Sequence, residues 1–329
     1  MSTLSTASMT LSDYAKGLDP NGTIARVIEL LEQSNDIIKD MPVMEGNLPT
    51  GHRGTIRTGL ASATWRLLNA GVLPSKGSKT QVDFQCGNLE SWSQVDKKLA
   101  ELGGNVNAFR LSEAIPHVEA VGQEVAQTLF YGNPSAPEEF VGFSSYYDDL
   151  SAANASHIIN AGGTGSDNSS IWMIDWSDQM CALYPKGTPA GLVHEDKGSV
   201  VIQNANGVTG ALMDALLDKW AWNIGLFVGD WRKCVRICNI DISNLTTESS
   251  AADLRKNLIK AYHRIRNKKN TRIYMNSTLL EFLDIQGRDD AILSGCLGET
   301  TLDGEEVMTF RRIPLRLCDQ LLETESAIS

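Results

Sequence analysis

The chain reads as an α+β protein, because helical and strand-like stretches are both present, do not alternate regularly, and follow no internal repeat of about 20 to 50 residues. An apolar fraction of 42% and a charged fraction of 21% are those of an ordinary folding chain.

In chain order, Ile24, Val27, Ile28 and Leu31 recur at helical spacing toward Ile38, with Asn21 or Thr23 able to cap the helix before Pro42 ends it. From Met41 to Gly54, Pro42, Gly46, Pro49, Gly51 and Gly54 punctuate the chain densely, which predicts an arm leading out of the core. A strand pair is expected next, Thr64 to Asn69 and Lys79 to Cys86, joined by the turn-rich stretch Ala70 to Ser78. Its second strand alternates strictly, with Thr80, Val82, Phe84 and Cys86 on the less polar side. A lone hairpin is marginal in water, so this one either joins a larger sheet of its own domain or packs on a surface from elsewhere. The residues leave both open.

The strongest helical pattern runs from Ser112, a candidate cap, to Tyr131. Pro116 lies near its first turn, Ile115, Val118, Val121, Val125 and Leu129 form the apolar stripe, and Gly132 and Pro134 terminate it. A loop region over residues 134–170 precedes strands at Ile171 to Trp176, Val200 to Gln203, Lys219 to Val228 and Lys233 to Ile240. A second helix, Ala251 to Arg266, turns Leu254, Leu258, Ile259, Ala261, Tyr262 and Ile265 to one side. A strand at Arg272 to Met275, a helix at Ser277 to Leu283 and a strand around Phe310 to Cys318 close the chain.

The net charge of −11 removes any diffuse attraction to nucleic acid at the whole-chain level. No leader-like start and no apolar run of membrane-spanning length is present, so no membrane is expected and the chain should mature in a cytoplasm. Six scattered cysteines without a C-x-x-C pair argue against zinc ribbons and redox motifs. Residues 161–166, AGGTGS, lack the Lys and Ser/Thr of a phosphate loop and lead into a strand, which predicts a mobile connection. The five histidines form no metal-type set, the acidic doublets sit in turns, and no G-x-S-x-G elbow exists. Trp220, Trp222 and Trp231 read as packed core or interface aromatics. No catalytic, cofactor or metal residue is expected.

One stretch stands apart: from Arg255 to Arg272 there are eight cations and no acidic residue. Either it is a solvated helix face whose cations suit the helix C-terminus, or it meets an acidic surface such as a second copy of the chain, with Arg255, Lys256, Lys260 and Arg264 as contacts.

Five strings carry a resemblance: residues 47–76 (NLPTGHRGTIRTGLASATWRLLNAGVLPSK), 130–133 (FYGN), 184–192 (YPKGTPAGL), 230–241 (DWRKCVRICNID) and 273–276 (IYMN). In this order the chain resembles the major capsid proteins of tailed, particularly short-tailed, double-stranded DNA bacteriophages. The resemblance implies the Hong Kong 97 phage fold, with an N-terminal arm (1–51), an extended hairpin loop (52–96), a peripheral domain (97–250) with its spine helix (112–131), and an axial domain (251–329). The position of the IYMN segment at the carboxyl end suggests rearranged connectivity. Also implied is a non-enzymatic virion protein, assembled in the host bacterial cytoplasm into hexamers and pentamers of an icosahedral head shell around double-stranded DNA that it does not read. Scaffolding and portal proteins, and a cement or decoration protein, are the implied partners. In that fold the extended loop lies on a neighbouring subunit, which makes Trp65, Leu67, Val82 and Phe84 contact candidates. The lysine, asparagine and glutamate of covalently cross-linking relatives are not matched. The competing reading is a cytoplasmic α+β enzyme, which needs a convergent polar site that no motif supplies.

Overall fold

The computed structural model describes residues 35–102, 104–203, 209–248, 251–289, 297–302 and 305–329. Most of the helix expected over Ile24 to Ile38 lies outside them; within them Asn35 bridges to Cys318 and a separate short helix α1 (Ile37–Asp40) follows. Strand β1 (Val43–Glu45) follows, then β2 (Gly51–Gly59), β3 (Ser78–Asp96), helix α2 (Lys97–Glu101) and the long helix α3 (Val106–Tyr131). Next come α4 (Phe143–Tyr146), β4 (Ile158–Asn160), β5 (Asn168–Asp175), β6 (Met180–Tyr184), β7 (Leu192–Gln203), β8 (Leu212–Val228) and β9 (Cys234–Asp241). The chain continues through α5 (Ile242–Thr246), α6 (Leu254–Arg264), β10 (Thr271–Met275), α7 (Ser277–Asp289), β11 (Leu297–Leu302), β12 (Glu305–Phe310) and β13 (Ile313–Leu317).

Two sheets result. One has the order β1-β6-β8-β3-β2, with β7 also on β8; the other runs β11-β12-β13-β10-β5-β9-β4. The second is the middle layer of the molecule. Its strands β5 and β9 are buried on both faces, as near-continuous apolar runs must be. On one face Ile171, Met173, Val235, Ile237 and Ile273 pack against Leu254, Leu258 and Ala261 of α6 and Leu279 and Leu283 of α7. On the other, Trp172, Ile174, Cys234 and Tyr274 meet Val125, Leu129 and Phe130 of α3 and the first sheet through Met180, Leu183 and Leu226. Strands from before and after residue 250 share this sheet, so the boundary expected there crosses a continuous core.

Several expectations are corrected. Thr64 to Asn69 forms no strand; β3 pairs instead with β2, Gly51 to Gln85 through Gly59 to Ser78. Of the glycines that look like punctuation, Gly46 lies just past β1 but Gly51 and Gly54 are strand residues, and at Gly51 a Cβ would collide with the Phe84 carbonyl across the pair. The hairpin is also not isolated, because β3 continues onto β8 from Cys86 to Asp96. The end of the arm does not leave the core, since Ile37 and Met41 are buried and β1 extends the first sheet parallel to β6.

Helix α3 begins earlier than expected because Asn105, not Ser112, is its cap, with Oδ1 accepting from the Ala108 N–H at 3.1 Å. Ser112 Oγ donates back to the Phe109 carbonyl, and Pro116 lies inside the helix. The early turn is held by Phe109, buried against Val95, Leu99 and Ala100. Only the later part of the expected stripe, Val121, Val125 and Leu129, is buried, while Ile115 and Val118 are exposed. The Gly-rich connection is tethered, with the Ala161 and Gly163 N–H groups donating to the Cys238 and Asn239 carbonyls and the Gly165 carbonyl accepting from Ala327.

That last bond belongs to a C-terminal strap, residues 318–329, which is closed by a buried ion pair. Arg236 Nη2 donates to Glu325 Oε2 at 2.7 Å, its Nε to Ser170 Oγ and its Nη1 to the Tyr147 carbonyl. The guanidinium also lies over the Trp172 ring, 4.8 Å from its centroid. Glu325 accepts in addition from the Ser170 and Tyr131 hydroxyls. Burial and the neighbouring Glu325 carboxylate push the Tyr131 hydroxyl well up, so it stays a donor. Glu325→Ala strands the Arg236 charge in the core, with an expected loss of about 3–5 kcal/mol, read from urea unfolding of the unassembled subunit.

Candidate assembly surfaces

The β2–β3 hairpin carries a loop, residues 60–77, that is exposed along its length and packs on no other part of the described residues. Trp65 is 101% exposed, Leu67 80%, and Leu60, Leu68 and Leu73 comparably so. The hairpin beneath is braced by Arg53, opposite Asp83, which holds the carboxylate through Nε at 2.6 Å and Nη2 at 2.7 Å. The same pair lowers the Asp83 carboxyl from its usual range. From Gly46 to Val82 the sequence contains five Lys and Arg and no acidic residue. The four loop candidates separate here. Trp65 and Leu67 are on the exposed loop, Val82 is half-buried, and Phe84 is buried in the chain's own core, edge-on to Phe227 at 4.9 Å. Phe84 therefore serves the subunit, because its position beside β8 sets its burial.

Helix α6 is capped by Asp253, whose carboxylate accepts from the Lys256 N–H at 2.8 Å. Lys256 and Lys260 are exposed, and Lys260 Nζ reaches Asn257 Oδ1. Arg255 and Arg264 are half-buried, and Arg264 Nη1 donates to the Ile158 carbonyl at 2.9 Å, tying α6 to β4. Burial lowers the Arg264 guanidinium slightly without discharging it. Of the four basic candidates, Lys256 and Lys260 are the two that face solvent.

Two features escaped the sequence. The turn between β12 and β13 is Arg311-Arg312, both with left-handed backbone, φ 50° and 69°. Two-residue hairpin turns of this kind favour Asn-Gly, and each non-glycine residue there costs about 1–2 kcal/mol. The readable signal was a pair of polar residues between two apolar runs. The second feature is a groove of about 460 Å³ between α3 and the β7–β8 pair, walled by Leu111, Val118 and Leu192 with Trp220 below. Arg110 holds Asp218 through Nε at 3.1 Å and Nη2 at 2.6 Å, and Asp196 at 2.6 Å; these carboxylates raise its guanidinium further. His194 Nε2 joins Asp218 at 2.9 Å, and the Trp220 ring stacks with His194 and with His117 at 5.1 and 5.0 Å. His117 Nδ1 bonds Ser91 Oγ at 2.6 Å, which fixes α3 to β3. Among the described residues no group of His, Cys, Asp and Glu has metal-binding geometry, and no helix is long and apolar enough to cross a membrane.

Burial lowers the His117 pKa, against a smaller opposing pull from Asp218, and burial lowers that of His157 as well. A histidine depressed in the fold stabilises it above its unfolded pKa of about 6.5, and that contribution is lost as pH falls through the folded value. The subunit should thus lose stability over the interval below about pH 6.5 as pH falls. The profile of His117→Gln should be flatter over that interval in thermal melts at stepped pH.

The sequence pattern of the family described as major capsid protein GP7 matches residues 19–329. A chain in the near-atomic-resolution structure of bacteriophage Epsilon15 is similar at 31% identity and TM-score 0.79, covering 100% of this chain and 99% of that one. A chain of the bacteriophage JBD30 capsid aligns at 10% identity and TM-score 0.48, over 89% and 92% of the two chains. No curated protein matches the sequence.

Proposed function

Since the chain belongs to the family of major capsid protein GP7, and is therefore a structural protein of the phage head shell, we propose how its surfaces build that shell. The observation that carries the reading is the loop, which leaves Trp65, Leu67, Leu68 and Leu73 in solvent. An apolar group of this size on a loop marks an interaction site. The loop cannot fold back onto the groove beside Trp220: Ser91, at the groove, lies 13 residues along β3 from Ser78, about 43 Å, whereas Trp65 reaches about 21 Å from Gly59. The surface that covers it is on another copy, and in a closed shell every copy both gives and receives the contact.

On this reading the chain forms hexamers and pentamers without catalysis or cofactor. Residues up to 51 act as the arm, 52–96 as the extended loop, and the remainder as the peripheral and axial parts of one continuous body. Lys256 and Lys260 face acidic groups of the adjacent copy, each exposed pair adding roughly 0–1 kcal/mol that symmetry repeats around a ring. Scaffolding and portal proteins act during assembly in the bacterial cytoplasm, a decoration protein binds outside, and the shell encloses double-stranded DNA.

Trp65→Asp tests the loop. Negative-stain microscopy should show shells from the parent chain and none from the variant, while the melting temperature of the unassembled subunit stays within about 1 °C, because Trp65 contributes nothing to its own core. Normal shells from Trp65→Asp would remove the loop from the interface. For the basic helix, Lys256→Glu with Lys260→Glu should slow assembly measured by light scattering, more at about 20 mM than at 300 mM salt. Equal rates at both salts would return these lysines to a solvated face.

A further inference from the structure

Lys268, just past the end of α6, and Arg311, at the β12–β13 turn, meet over one aromatic ring. Lys268 Nζ lies 4.4 Å from the centroid of the Tyr262 ring, and the Arg311 guanidinium lies 5.2 Å from the same centroid. His263 Nε2 and Arg311 Nη1 approach to 3.4 Å. Arg266, Lys269 and Arg312 are exposed beside them in sequence. Among the described residues none of Arg266, Lys268, Lys269, Arg311 and Arg312 has a carboxylate partner, in a chain whose net charge is −11. Some exposed cations elsewhere are paired, Arg53 with Asp83, Lys197 with Glu195 and Arg232 with Asp230, so what marks this face is the close setting of its cations over one ring.

Helix-end electrostatics explains one or two of these cations, since the C-terminus of α6 favours positive charge within its last turn. It does not explain Arg311 and Arg312, which belong to a different element and hold left-handed backbone that Asn-Gly would adopt without strain. Strain retained where a common alternative would relieve it points to a use for the side chains. The composition of the face says which use. No large apolar residue of 255–272 or 307–317 is among the exposed hydrophobics, so the face lacks the apolar centre of a protein–protein contact. Closely set cations without an apolar centre suit the phosphates of a nucleic acid, whose binding is dominated by charge and counterion release.

We propose that Arg311, Arg312, Arg266, Lys268 and Lys269 form a phosphate-binding face that contacts the backbone of double-stranded DNA without reading its sequence. The proposal rests on the reading that the shell encloses DNA, and assigns the point where an acidic wall touches it. Because the subunit's net charge of −11 repels DNA, this face holds the duplex weakly and leaves it free to slide.

The test uses the unassembled full-length subunit and a fluorescent 30-base-pair duplex, with anisotropy measured from about 20 to 200 mM salt. The parent chain should bind in the micromolar range at low salt. Arg311→Asn with Arg312→Gly should weaken binding about tenfold or more and reduce the slope of log affinity against log salt by about two. The same variant should melt about 2–5 °C higher, since the turn is relieved of strain. Lys268→Gln with Lys269→Gln, which leaves the turn untouched, should weaken binding without raising the melting temperature. Unchanged DNA affinity in both variants overturns the proposal, and so does polyglutamate binding as tightly with the same losses, which would make the face an acidic-protein contact. Electron microscopy of the variants separates this from the shell reading: normal shells with unaltered DNA affinity sink the phosphate face alone, whereas a parent chain that forms no shells sinks the reading beneath it.

Discussion

The Arg236–Glu325 pair is the interaction on which the rest of the subunit depends, because it is where four separately folded pieces meet. Arg236 belongs to β9, Ser170 to β5 and Tyr131 to the end of α3, and Glu325 comes from the strap at the C-terminus. A buried ion pair is weak evidence of net stability, since the cost of desolvating both charges rivals their attraction. Its effect is on specificity: with all three nitrogens of the guanidinium engaged, one register of strap, helix and sheet satisfies the charges, and others leave them bare. The strap then fixes what lies beside it. Ile328 N–H and carbonyl bond the Asn239 side chain, and Ala327 holds the Gly-rich connection. A similar arrangement on the other side of Tyr274 joins Asp40 of α1 to Arg316 of β13, with Nε and Nη2 both at 3.1 Å, and passes through the Tyr274 hydroxyl to Trp176.

These networks explain which parts of the fold the sequence shows. Periodicity reveals elements whose burial is decided locally, and so β5, β9, α6, β10 and the later half of α3 lie where the pattern of Ile171, Val235, Leu258, Ile273 and Leu129 puts them. It fails where a distant partner decides. Gly51 and Gly54 look like breakers, yet they form a strand because β3 offers a ladder, and at Gly51 the space beside it admits no side chain. Ser112 and Pro116 look like a helix start, but the pocket made by Val95, Leu99 and Ala100 draws Phe109 in and lets the helix begin at Asn105. Trp65, Leu67 and Phe84 carry equal apolar character in the sequence. Only the register of β3 against β8 distinguishes the last, which is buried, from the first two, which are bare.

The charge distribution follows the same division between subunit and shell. With −11 overall, copies repel one another at long range, which keeps unassembled subunits soluble and makes association depend on short-range contacts. The cations are gathered in two acid-free stretches, Gly46 to Val82 and Arg255 to Arg272, with the Arg311-Arg312 turn beside the second. Within the body, by contrast, opposite charges are matched at close range: Arg110 with Asp196 and Asp218, Lys219 with Glu90, Arg316 with Asp40.

A subunit organised in this way separates folding from assembly. Its core is closed by buried polar networks and two apolar layers, none of which uses the loop, so the loop's apolar residues are left for the contact between copies. The groove lies at a different kind of place, where α3 is fastened to the sheets by polar contacts beyond the buried Phe109. His117 to Ser91 and Arg110 to Asp218 and Asp196 hold a helix half whose Leu111, Ile115 and Val118 remain exposed. The later half, with Val121, Val125 and Leu129 buried, is held by packing. Polar fastenings at a partly wet surface are worth about 1–3 kcal/mol each, whereas burying one large aliphatic side chain is worth as much without depending on protonation. The N-terminal half of α3 is therefore held by Phe109 together with polar fastenings that include His117, and its C-terminal half by packing and by the bond from Tyr131 to Glu325.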